Sequence, residues 1–179
     1  MPKLWYEVSV NSGEITGIDS LCYVVGYNTP IIGHDGRFLR NLAIYEYREG
    51  KYRLIKQSFY AIDSFEDMDN DLLFDRFDET NFSVSIQDGH IVINYEYMRG
   101  EAVNEYAYEN GNWILVYASS SHRTCCHASI SSYDYRTKTL TESTYRVGDE
   151  DYDESTGIPR DTVITTIEER PVIYMDQPF

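Results

Sequence analysis

One hairpin is written twice in this chain. Tyr45-Glu46-Tyr47-Arg48-Glu49-Gly50-Lys51-Tyr52-Arg53-Leu54-Ile55 recurs as Tyr106-Ala107-Tyr108-Glu109-Asn110-Gly111-Asn112-Trp113-Ile114-Leu115-Val116. In each copy an alternating run enters a two-residue turn that ends in glycine and leaves as a second alternating run, the strongest short-range signal of a β-hairpin. A third copy, Tyr133-Asp134-Tyr135 followed by Thr139-Leu140, lacks the glycine, and Asp88-Gly89 joins two further strand-like runs. Repeated hairpins hold the chain to an antiparallel, mostly β class, which by itself names no reaction.

The 179 residues are the size of one domain, and 1–179 reads as a single β-rich domain with an acidic loop at about 148–157. Strands are expected from Leu4–Val10 and Leu21–Tyr27 onward through the hairpins to Thr162–Glu168 and Val172–Met175, with a loop at Tyr27–Asp35. Around the second turn Trp113, Leu115 and Tyr117 alternate with Ile114, Val116 and Ala118, so both faces are apolar and this hairpin belongs at the centre of a sheet. The first hairpin has Arg53 and Lys56 at the equivalent positions and belongs nearer an edge. Trp113, Leu115, Val92 and Ile44 are the expected core. The expectation is an all-β meander of about ten strands, folded as a curled barrel, a sandwich or a partial propeller, with one short helix.

That helix is expected within Ser64–Asp78, where Ser64-Phe65-Glu66-Asp67 has the form of a capping box and Phe65, Met68, Leu72 and Phe77 fall near helical spacing. A second reading competes for the same residues. Asp67, Asp69, Asp71 and Asp75 stand at positions 1, 3, 5 and 9 of a loop, where alternate carboxylates can turn inward on a hard cation such as calcium. This run, with the tyrosine-rich hairpins on either side over about Tyr45–Val116, resembles the Asp-rich loops of FG-GAP/VCBS-type β proteins. That group includes bacterial lysozyme inhibitors and immunity proteins. Asn70 and Leu72 stand where the family usually has glycine. The resemblance implies a calcium loop at the four aspartates and a non-catalytic inhibitory role.

Charge narrows the choice of partners. Fifteen Lys and Arg against 30 Asp and Glu leave a formal net charge of −15, a field that repels nucleic acid and anionic lipid and draws in basic proteins. The acidic loop, with Asp149, Glu150, Asp151, Asp153 and Glu154 around Tyr152, is the expected partner contact. Apolar runs are too short to span a bilayer. If Met1 is native the compartment is cytoplasmic; if a signal preceded it, periplasmic or extracellular. Cys22, Cys125 and Cys126 cannot all pair within one chain, and a bridge from Cys22 to either of the others stays open.

No residue pattern specifies a catalyst. His122, Cys125, Cys126 and His127 are the one concentration of soft ligands, without the paired spacing of a zinc site. Ser119-Ser120-Ser121-His122 lacks the strand-turn-helix setting of an activated serine. The seventeen tyrosines exceed what a core of this size needs, and tyrosine is favoured on binding surfaces as well as in strands. The function expected is therefore a non-catalytic binding protein, an immunity or inhibitor protein that blocks a basic toxin or cell-wall hydrolase. A hydrolase with an acidic cleft and a structural accessory domain of the cell envelope are the alternatives.

Overall fold

Hairpin follows hairpin through two antiparallel sheets. The computed structural model describes residues 5–64, 80–97, 99–124, 127–146 and 162–177. Strands β1 (Tyr6–Glu14), β2 (Leu21–Ile32), β3 (Phe38–Arg48) and β4 (Lys51–Ser58) form a four-stranded sheet in chain order. Strands β5 (Thr80–Gln87), β6 (His90–Tyr97), β7 (Gly100–Glu109), β8 (Asn112–Arg123), β9 (His127–Asp134), β10 (Thr139–Arg146) and β11 (Thr162–Ile167) form a seven-stranded sheet, again in chain order.

The turn chemistry explains the repetition. Glu49-Gly50, Asp88-Gly89 and Asn110-Gly111 carry φ of 53° and 76°, 49° and 80°, and 51° and 82°. Positive φ at both central residues is the turn that matches the twist of the strands it joins, and glycine takes the second position without steric cost. The third hairpin manages without glycine. Its Asp134 carboxylate accepts hydrogen bonds from the backbone N–H groups of Arg136 (2.8 Å) and Thr137 (3.0 Å), and Lys138 takes φ 56°.

The sheets pack through their inner faces. Cys22, Val24, Leu42 and Ile44 of the small sheet join Val84, Ile91, Ile93, Tyr106, Trp113 and Leu115 of the large one in a single core. Gly26 admits β5 closely: a Cβ there would lie 2.4 Å from the Phe82 ring. The sheets are also tied along both flanks. On one, Ser9 and Asn11 of β1 reach the backbone of β5, through Val84 N–H to Ser9 Oγ (3.0 Å) and Ile86 N–H to Asn11 Oδ1 (3.0 Å). On the other, the C-terminal segment forms a bridge from Tyr174 to Ile114 in β8, while Met175 C=O accepts a short hydrogen bond from the Ser58 hydroxyl at the end of β4. Side chains, one bridge and a single backbone hydrogen bond from Thr16 N–H to the Gly89 carbonyl (3.0 Å) join them, so the described residues form two joined sheets and not a closed barrel.

The expected class, antiparallel order and core are found, with Trp113, Leu115, Val92 and Ile44 all buried. The second hairpin is central, since β8 is the middle strand of seven, and β4 ends the small sheet as the first hairpin requires. Four details differ, and one is that Val172–Met175, expected as a strand, makes only the isolated bridge at Tyr174. No helix occurs among the described residues, and all of Ser64–Asp78 but Ser64 lies outside them. Strand β1 is shifted toward Glu14. The loop expected at Tyr27–Asp35 is largely strand, because β2 runs on to Ile32. There Thr29 Oγ1 donates to the Leu39 carbonyl (2.7 Å) and accepts from the Ile31 N–H (3.3 Å), carrying the strand past Pro30 through a break in register. Cys22 is a free, buried thiol, its pKa raised by burial and then by Glu46.

Candidate partner-binding face

The outer face of the small sheet is built from tyrosine. Side chains alternate along a strand, so residues paired across the ladder share a face. One outer row reads Ser12, Tyr23, Tyr45, Leu54 and the next Glu14, Leu21, Tyr47, Tyr52. Ring centroids of Tyr23 and Tyr52 lie 5.1 Å apart, those of Tyr47 and Tyr52 4.9 Å, and those of Tyr23 and Tyr47 6.3 Å, which is a three-ring cluster with edge-to-face and tilted contacts. The Tyr52 pKa is raised, first of all by the neighbouring Tyr23 side chain.

The two halves of this face differ in cover. Toward Tyr27, the rows hold Val25 and Ala43, and Trp5 packs over them, 5.7 Å from Tyr27 and 5.9 Å from Phe59 between ring centroids. Val25, Tyr27 and Ala43 are buried in consequence. Toward the β3–β4 turn nothing among the described residues plays that part: Tyr52 is 61% exposed, Leu54 48% and Leu21 40%. Beneath the open half, on the inner side, Glu46 accepts from the Ser20 hydroxyl (2.9 Å) and from Arg53 Nε (3.0 Å) and Nη2 (2.6 Å). These bonds, Ser20 first and Arg53 second, hold the Glu46 carboxyl below its usual pKa. They also lock β3 against β4 under the rings, so the platform is fixed in advance of any contact.

Charge on the same face is acidic along β1. Glu7 is paired with Tyr27 and Glu14 with Leu21, which places both carboxylates on the outer side. An apolar strip of a different kind lies on β11, where Val163, Ile164 and Ile167 are exposed, but it has no aromatic anchor.

Asp67, Asp69, Asp71 and Asp75, and the acidic run Asp149, Glu150, Asp151, Tyr152, Asp153 and Glu154, lie outside the described residues, as do Cys125 and Cys126. His122 sits on β8 across from Gly100 and Ser129, and the backbone of His127 opens β9 opposite Arg146. Among the described residues no three His, Cys, Asp or Glu side chains gather as a metal group. The tyrosine face was signalled in the sequence only as surplus: Tyr45 and Tyr47 alternate toward a turn from which Tyr52 and Leu54 alternate away. Comparison with protein-family models, with curated proteins and with solved structures finds no match.

Proposed function

We propose that this protein is a non-catalytic binding module of the inhibitor or immunity kind, which docks a basic protein on the outer face of β2–β4. The observation that carries the reading is the cluster of Tyr23, Tyr47 and Tyr52, flanked by Leu21 and Leu54 and left uncovered by the other described residues. Rigid aromatic rings with a polar tip offer large contact area at small entropic cost, and such anchors dominate the energetics of interfaces. Glu14 beside the rings and Glu7 farther along the same face, within a chain of net charge −15, select a cationic partner. Lysine or arginine from that partner can rest on a tyrosine face while its charge meets a carboxylate. The acidic residues 149–154 would then speed encounter from a distance, which is how charges at a rim act.

Comparative capture tests this. The wild type and the triple variant Tyr47→Ser, Tyr52→Ser, Leu54→Ser serve as baits in extract of the source cells at low and moderate salt. A basic protein retained by the wild type and lost from an equally stable triple variant is the expected result. Equal retention by both baits would remove this face from the interface.

A further inference from the structure

The inner face of the large sheet changes character along its strands. Cross-strand rows begin in the core with Ile91–Tyr106–Leu115 and continue as Ile93–Asn104–Ala118–Tyr133 and Tyr95–Ala102–Ser120–Ser131. Where large apolar groups give way to Ala102, Ser120 and Ser131, a cleft of about 300 Å³ opens, bordered by Tyr97, Tyr135, Asp63 and Arg170. That volume lies at the lower end of the range for ligand pockets and suits a small ligand.

Its borders are set by hydrogen bonds already made. Tyr95, buried, donates to the Ala61 carbonyl (3.1 Å), and Tyr97 beside it donates to Asp63 Oδ2 (3.3 Å). Opposite, Tyr133 donates to the Glu168 carbonyl (2.5 Å) and packs edge-on against Tyr135, with centroids 4.6 Å apart. Arg170 lies over the Tyr133 ring at 4.4 Å and binds Glu168 Oε1 at 3.0 Å. One more polar group belongs to the region. The Tyr106 hydroxyl is fully buried and has no hydrogen-bond partner among the described residues. Its ionisation is suppressed by burial and then by Asp63 and Tyr135, two residues that border the cleft.

We propose that this cleft binds a neutral sugar unit, with the C–H face of the ring on Tyr97 and the hydroxyls met by Asp63, Asn104, Ser120 and Ser131. A polyol needs acceptors and donors close together, and the cleft supplies a carboxylate, an amide and hydroxyls around aromatic surface. The charges argue against an anion, since Arg170 is already engaged by Glu168 and Asp63 stands across from it. They argue against a cation as well, because Asp63 accepts from Tyr97 and Arg170 shares the rim. This site is on the opposite sheet from the tyrosine face and stands independently of the docking role.

The test is a titration of the full chain with glucose, mannose, galactose and N-acetylglucosamine trisaccharides, read as amide shifts by NMR. At least one is expected to move Ala102, Ser120 and Ser131 saturably at millimolar concentration or below. Tyr97→Ala should weaken it by about tenfold or more, as for an aromatic anchor. Ser120→Trp, at an exposed floor position, should abolish it, and Tyr47→Ser with Tyr52→Ser should leave it unchanged. Silence of those amides toward every trisaccharide would overturn the proposal, as would affinity undiminished in Tyr97→Ala. Glucuronate binding more tightly than glucose would overturn the neutral class.

Discussion

Gly26 and the buried tyrosines show how much rests on single side chains. At Gly26 the close approach of β5 leaves no room for a methyl group, since the nearest atom belongs to a ring held in the core. Gly26→Ala should destabilise the fold by about 1–3 kcal/mol, the usual cost of overpacking, and Phe82→Leu in the same chain should recover part of it. Denaturant melts of the two single variants and the double variant measure both effects. A second expectation concerns alkaline pH. Burial pushes the hydroxyls of Tyr95 and Tyr106 well above their ordinary pKa and that of Tyr97 up to about 12. In the unfolded chain these groups ionise near 10, so the unfolded state loses protons first. Stability from them is complete below pH 10 and declines as pH climbs toward 12 and beyond. Phenolate absorbance should show a late-titrating group that appears together with unfolding.

Strand pairing follows from the turns, and the turns were legible. Glu-Gly, Asp-Gly and Asn-Gly announce positive φ, and every strand flanking them pairs as a hairpin. Central and edge placement was legible too, because Ile114 and Val116 make β8 apolar on both faces while Arg53 and Lys56 mark β4. What hairpins do not tell is where a meander divides. Local pairing fixes neighbours, whereas the seam between β1 and β5 depends on Ser9 and Asn11, whose partners lie 75 residues away. Ordinary polar residues on an edge give no sequence signal of that kind. Asn28 and Pro30 gave a false one, since the Thr29 hydroxyl keeps β2 in the sheet beyond them. The seam carries its own prediction. Ser9→Ala with Asn11→Ala leaves two β5 amides without acceptors and should cost about 2–4 kcal/mol in a chemical melt, well above an exposed polar truncation. A loss within experimental error would show that packing of Gly13 and Gly26 on β5 suffices to join the sheets.

Over the whole molecule, one sheet offers aromatic surface outward and the other encloses a polar cleft inward, with a shared core between them. The surplus of tyrosine was visible in composition, but its division among core, cleft and outer face was not. Tyr95 and Tyr106 point inward and Tyr23 and Tyr52 outward because of register, and register is set by turns and bulges distributed along both sheets. The small residues of the cleft were silent for the same reason: Ala102, Ser120 and Ser131 become a floor only when three strands align them. The docking claim is the one on which the account of function stands. Amide hydrogen exchange on the chain alone and with its captured basic partner tests it most directly. The account predicts slowed exchange concentrated in 21–27 and 43–54, with β9 and β10 unchanged. Protection that leaves both of those segments at their free rates and falls on the large sheet instead would contradict it.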